Sequence, residues 1–342
     1  MYNALKIKYL SHGVPITGGD THELFFVQTL EQYAQTQNQP TSLTIHNQPK
    51  TFTNIWQQLK LFFWAFYTAN ADVNIVVARL GLPAIVRNLF NKNKVIIVLH
   101  GRYPNANCGF FTRKLVDFTY FLLKKKAFKR FALVCLLDYW QDYFMQKKGI
   151  QSPVFVFPNF FELQKYRAFV AEKLGKKQVY LGQFSTKNDV VEIDLLCSAL
   201  KAQGFRCIFS SLYTSHLQEK KHENYEIVVV SYENYLGLMA ESCCTIAFSK
   251  IPEGLNRIAV ESLLVGTPVV GFDMGGLGYL LKKTNSLVVR NHKEALLYIT
   301  GEKTMPVPNT DFLVQFDVSN TEQYIKPIFG WITDGKKYSR LK

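Results

Sequence analysis

Two carboxylates in the stretch PEGLNRIAVES (252–262), Glu253 and Glu261, stand either side of seven residues on a chain with 40 Lys+Arg against 26 Asp+Glu. Pro252 and Gly254 make a tight turn, and Asn256 is a good N-cap for a short helix over roughly 257–265, which Gly266 and Pro268 end. A helix N-terminus offers free N–H groups and the positive end of the helix dipole, which suit an anion such as diphosphate. Glu253 sits just before that terminus, and Glu261 lies about one turn inside. A carboxylate there repels phosphate but can accept two hydroxyl hydrogen bonds, as from a ribose. Glu253 points to the other side of the phosphates, where a sugar would lie. Arg257 is a candidate diphosphate contact by charge and place, or else an exposed helix residue. Taken alone, Glu253 reads more plainly as a helix cap and Glu261 as a solvated residue. The surroundings favour the binding reading: a strand (244–248), the turn, the helix, GTPVV (266–270) and a flexible turn at Gly275-Gly276, in that order.

The elements that would carry these residues follow from the apolar pattern. Twelve short β-branched or aromatic runs recur, from LKIKYL (5–10) to SLVV (286–289), most without clean alternation. Strands of a parallel sheet covered by helices on both faces read this way. Helix-length segments separate most of them, which gives βα repeats. Twelve strands divide into two open, doubly wound Rossmann-like α/β domains, with a boundary at FPNFFELQKY (157–166). Each such domain has a crevice at the carboxyl ends of its strands, and the two are expected to face each other across a cleft.

The 244–276 segment resembles the donor-binding block of retaining glycosyltransferases of the GT-B fold, especially glycosyltransferase family 4. That family shows E-G-x-x-x-x-x-x-E, a small or apolar helix, G-T-P-V-V and a Gly-Gly turn. Here these are Glu253-Gly254 … Glu261, Gly266-Thr267-Pro268-Val269-Val270 and Gly275-Gly276. The resemblance implies that Glu261 binds the ribose and that Glu253 contacts the transferred sugar near the reacting carbon. Gly254, Leu255, Asn256 and Arg257 would belong to the donor-binding set. Further blocks agree. Gly18-Gly19 follow the first strand, where the family places a Gly-Gly loop near the donor phosphates, and His100-Gly101 end the run VIIVL (95–99), where a histidine reaches the donor sugar. Lys187 follows QVYLGQ (178–183) as a phosphate ligand, although Gln183 stands where the family has Arg and the spacing is one residue short. Backbone near Val230–Tyr232 would edge the base, and the last helix would cross back to the first domain. The domains implied are 1–160 with a C-terminal helix of about 318–342, on the acceptor side, and 161–317, holding the nucleotide-sugar.

The activity implied is transfer of a sugar, with retention, from a nucleotide-diphosphate sugar to a glycan or glycolipid acceptor of a surface polysaccharide. No Asp-x-Asp and no His/Cys cluster of ligand spacing occurs, so neither a metal nor another cofactor is expected. The leaving diphosphate would be stabilised by helix N–H groups with Lys187 or Arg257. Two alternatives stay open: a non-catalytic, degenerate protein on the same fold, favoured by Gln183, and a nucleotide-sugar epimerase.

The net charge of +14 points either to an anionic partner or, for some of it, to solubility alone, and part of it is concentrated. TRKLVDFTYFLLKKKAFKR (112–130) holds seven basic residues against Asp117, interleaved with Phe, Leu and Tyr, and IWQQLKLFFWAFY (55–67) adds aromatics. Both read either as core helices with solvated basic ends or as an interfacial segment for an anionic bilayer. No base-reading motif points to nucleic acid. Six cysteines without framework spacing fit free thiols in a reducing cytosol, and the N-terminus reads as a first strand rather than a signal peptide. A cytoplasmic enzyme, peripheral on the inner membrane face, is the expected setting.

Overall fold

The computed structural model describes residues 4–11, 18–47, 55–101, 109–170, 177–185, 187–212 and 220–333, with backbone only at 18–20, 55, 212, 220 and 221. The chain divides into two compact units, Met1–Asn159 with Ser319–Lys342 and Phe160–Val318.

The first unit holds β1 (Leu5–Ser11), β2 (Thr41–Asn47), β3 (Val73–Val77), β4 (Lys94–Leu99), β5 (Phe131–Cys135) and β6 (Val154–Val156). Their order is β2-β1-β3-β4-β5-β6, and every neighbouring pair is parallel. β3 (VNIVV) and β5 (FALVC) are buried at every residue, as strands covered on both faces must be. The Thr321–Thr333 helix packs on this unit, with Ile325, Ile328 and Trp331 buried. The Trp331 indole N–H donates to the Lys129 carbonyl at 3.1 Å.

The second unit holds β7 (Gln178–Gln183), β8 (Arg206–Leu212), β9 (Lys220–Lys221), β10 (Glu226–Val230), β11 (Cys244–Ala247), β12 (Val269–Gly271) and β13 (Leu287–Val288). The order is β13-β12-β11-β7-β8-β10-β9. All pairs are parallel except β9 with β10. β9 is an addition to the twelve expected strands; two lysines carry no apolar signal. The chain order runs from β7 outward through β8 to β10, then returns to β11 on the other side of β7. The strand order therefore reverses between β7 and β11, the kind of switch point at whose carboxyl ends open α/β sheets bind ligands.

Two local expectations change. Gly275-Gly276 open the Gly275–Lys283 helix instead of forming a separate turn. Gly18-Gly19 likewise open the Gly18–Thr36 helix, and the segment 12–17 before them lies outside the described residues.

Candidate active site

The β7/β11 reversal places Lys187 and Glu253 together. The loops after the two strands are tied by backbone. Asp189 N–H donates to the Phe248 carbonyl at 2.8 Å, Lys250 N–H donates to the Lys187 carbonyl at 3.0 Å, and Asn188 bridges Ser249. Asn188 Oδ1 also accepts the Ser185 N–H at 2.7 Å and stiffens the bend. The exposed Lys187 ammonium lies 4.0 Å from Glu253 Oε2. Lys250 follows the same bridge and is exposed. The sequence reading missed it, although its place at the end of the β11 run was a usable signal.

The following loop is locked from both sides. Asn256 caps the Arg257–Leu264 helix, its Oδ1 accepting the Ala259 N–H at 2.9 Å. Its Nδ2 donates to Glu253 Oε1 at 3.2 Å, so the cap also orients that carboxylate. The Glu253 carbonyl accepts the Gly276 N–H at 2.9 Å. This contact explains the Gly-Gly pair. A Cβ on Gly276 would lie 1.8 Å from the Gly254 carbonyl oxygen, and Gly275 has φ +58° with its own Cβ position 3.0 Å from the Glu253 oxygen. The glycines let the Gly275–Lys283 helix abut the Glu253-Gly254 loop. Leu255 is buried beneath that loop. With the Ala259 and Val260 N–H groups taken by Asn256, the N–H groups of Arg257 and Ile258 remain at the helix start without an intrahelical acceptor. The Glu253 side chain is mostly buried, and with Lys187 and the helix start it converges at the switch point, where an anion and a polyol could both be held.

Glu261 is not a solvated helix residue. It is 2% exposed and sits among phenols. Its Oε1 accepts from the Tyr232 hydroxyl at 3.0 Å and from Arg257 Nη2 at 3.3 Å, and its Oε2 accepts from the Tyr235 hydroxyl. The Tyr166 and Tyr232 hydroxyls bond at 2.9 Å. Burial first, and then the Glu261 charge, pushes the Tyr232 phenol up to about 12, and the same causes raise Tyr235 and Tyr166 further. All three stay protonated donors. Arg257 lies 5.3 Å over the Phe161 ring and turns back toward Glu261. Its partner in this structure is that carboxylate. Burial lowers its proton affinity, and the Glu261 charge and hydrogen bond, together with the neighbouring Tyr232 and Tyr166 phenols, more than restore it. Neither Phe161 nor the tyrosines were singled out from the sequence as partners of Glu261; residues so far apart along the chain carry no local pattern that joins them.

The first unit carries a second polar group at the carboxyl end of its sheet. His100 follows β4, and its Nε2 lies 2.7 Å from Glu23 Oε1. Glu23, on the Gly18–Thr36 helix, is 4% exposed and also accepts from the Tyr9 hydroxyl on β1. His22 stands edge-on to His100, ring centroids 5.2 Å apart, with its Nε2 2.9 Å from the Phe157 carbonyl oxygen. That contact uses Nε2, so Nδ1 is the ring position left for a ligand. Gly18 and Gly19 start the helix that delivers Glu23. The sequence reading missed Glu23 and Tyr9, which are brought to His100 by the β1-β3-β4 order.

Among solved structures, a glycosyltransferase from Rickettsia africae is similar at a TM-score of 0.64 and 12% identity, covering 97% of this chain and 100% of that one. Anabaena HepE in complex with UDP is similar at 0.65 and 15%, covering 95% and 100%. The α,α-trehalose 6-phosphate synthase of Burkholderia multivorans is similar at 0.65 and 11%, covering 97% and 99%. The fold is GT-B. No protein-family model matches the chain, and no curated protein matches it. Within this GT-B chain, the departing position Gln183 is the half-buried last residue of β7, paired in register with Ser210. Among the described residues no group of three or more His, Cys, Asp or Glu could hold a metal ion.

Proposed function

We propose that this protein is a retaining glycosyltransferase that moves a sugar from a nucleotide-diphosphate sugar to a glycan or lipid-linked acceptor. The observation that carries the reading is the locked switch-point element. Glu253 is aimed by Asn256 and fixed through Gly276, beside Lys187 and an open helix start. In this reading the N–H groups of Arg257 and Ile258, with Lys187 and Lys250, take the diphosphate, and that fixed positive field stabilises it as it leaves. Glu253 faces the transferred sugar near its reacting carbon. Glu261 is the ribose acceptor, and His100 hydrogen-bonds the donor sugar through Nδ1. The chemistry needs no metal, because developing negative charge is met by lysines and backbone.

HepE has been crystallised with UDP, with UDP and glucose, and with UDP-glucose, which makes uridine the first donor nucleoside to try. The test is calorimetric titration with UDP, GDP and ADP, followed by single-turnover assays with the matching sugars. Saturable binding and sugar transfer with retained anomeric configuration support the reading; no binding of any nucleoside diphosphate sinks it. A second reading has one observation in its favour, a similarity to a UDP-GlcNAc 2-epimerase from Methanocaldococcus jannaschii at a TM-score of 0.52. It requires sugar conversion without acceptor.

The acceptor end of the proposal rests on the first unit's surface. The Ile55–Thr68 helix exposes Trp56, Phe63 and Tyr67, at a spacing that aligns them on one stripe. The Phe110–Leu123 helix exposes Phe110, Phe118 and Phe121, and Lys114 and Lys125 lie over the Phe110 and Phe121 rings at 5.5 and 5.1 Å. Thr112 donates to Gln58 at 3.3 Å, so the two helices sit side by side. Aromatics among lysines suit the interface of an anionic bilayer, where a lipid-linked acceptor would reside. None of the described helices is long and apolar enough to cross a membrane. We place the enzyme on the inner membrane face, in the reducing cytosol that its cysteines suit.

A further inference from the structure

The three donors on Glu261 are not equivalent. A carboxylate offers about four lone-pair positions, and three are occupied here. Tyr235 is 1% exposed, with its ring 6.0 Å from that of the buried Tyr180, and cannot leave without opening the core. Arg257 is held over Phe161. Tyr232 differs. It is 41% exposed, it starts the Tyr232–Ala240 helix, and Ser231 caps that helix independently by accepting the Asn234 N–H at 3.3 Å. Its side chain can rotate toward solvent while its backbone stays.

We propose that Tyr232 is an internal occupant of the ribose position at Glu261, whose hydroxyl is exchanged for a ribose hydroxyl when nucleotide binds. The inference rests on the glycosyltransferase reading and adds to it a residue that sets donor affinity. A phenol hydroxyl and a ribose hydroxyl are interchangeable as donors to Oε1. Tyr235 and Arg257 leave lone-pair positions of this buried carboxylate unfilled, and a third donor lowers the cost of burying it while no ligand is bound. Tyr166 is the second anchor, because its hydroxyl bonds that of Tyr232 and holds the ring closed. Ligand binding must break both bonds to Tyr232, so apparent affinity is lowered by the population of the closed side chain.

The test has an unusual sign. Tyr232→Phe removes the stand-in hydroxyl and keeps the ring. It should bind UDP, or whichever of GDP and ADP the wild type prefers, more tightly, by roughly three- to tenfold in Kd, the size of one net hydrogen bond. Tyr166→Phe should move Kd in the same direction by less. Neither variant should gain affinity for the 2′,3′-dideoxy form of the same nucleotide, which lacks the hydroxyls that compete. Unchanged or weaker binding of the ribonucleotide by Tyr232→Phe, or an equal gain with the dideoxy form, overturns the proposal while leaving the transferase reading intact. If wild type and both variants bind no nucleoside diphosphate, the transferase reading fails and the proposal falls with it.

Discussion

The Glu253 carbonyl accepts the Gly276 N–H at 2.9 Å, and the Cβ that any other residue would place at 276 falls 1.8 Å from the neighbouring Gly254 oxygen. Two segments more than twenty residues apart thus meet backbone to backbone. Gly276→Ala must push the Glu253 loop off the Gly275–Lys283 helix. The expected cost is about 1–3 kcal/mol of stability, as for other overpacked sites. Nucleotide affinity should fall with it. Urea unfolding and calorimetric titration read both; a variant of wild-type stability and affinity would show that the loop is not set by this contact.

Glu253→Gln keeps the shape of the side chain, and a Gln oxygen can still accept from Asn256. Donor binding should survive within a few-fold. Turnover should fall by about 10²–10³, the usual cost of removing one group that meets charge developing in a transition state. Rapid-quench turnover alongside Kd separates the two. A variant that turns over at wild-type rate would remove Glu253 from the reacting centre.

Glu23 holds both His100 and Tyr9. Glu23→Ala leaves the buried Tyr9 hydroxyl without its acceptor and frees the imidazole. The expected stability loss is about 1–3 kcal/mol, with a smaller loss in Glu23→Gln, which can still accept one bond. His100→Ala should leave stability closer to wild type yet slow turnover more than Glu23→Gln does. The reverse ranking would make the group a folding element of the first unit and nothing more.

The paired aromatic and basic helices predict selective lipid binding. Sedimentation with phosphatidylglycerol vesicles should retain the protein, and phosphatidylcholine vesicles should not. Added salt should release it as the charges are screened. Charge reversal of Lys124, Lys125 and Lys126 should abolish retention while nucleotide binding persists. Retention indifferent to lipid charge would reject the surface.

Glu192 provides a pH signature. Its carboxylate accepts the His292 N–H at 2.7 Å and faces the His292 Nδ1 at 2.9 Å. The backbone N–H is the main reason it is held below the ordinary value of 4.5. The folded state therefore binds that proton less readily than the unfolded chain. The stabilisation is complete above about 4.5 and lost as pH falls through the lower folded value. Glu192→Gln should lower stability at neutral pH and flatten its decline below that point, as followed by urea midpoints across acid pH. An unchanged slope would show that Glu192 does not contribute.

The apolar runs were sufficient to reveal two parallel α/β sheets, because a strand covered on both faces can have no polar alternation to disguise it. β9 escaped, since two consecutive lysines form no apolar run that a pattern could record. Asn256, Gly266 and the 257–264 helix were equally legible, because capping and termination depend on residues a few positions apart.

Local spacing was enough to establish the chemistry available at residues 252–262: two carboxylates, a cap and a helix start. What each of them faces depends on how distant elements pack. Glu261 meets Tyr232 and Tyr235 because the Tyr232–Ala240 and Arg257–Leu264 helices pack together, and Arg257 turns inward because Phe161 and Glu261 wait there. Glu23 reaches His100 because β1 and β4 flank β3. Hydrogen-bond partners distant in the chain are selected by which strands and helices become neighbours. That selection follows from burial summed over a whole unit, not from any local spacing.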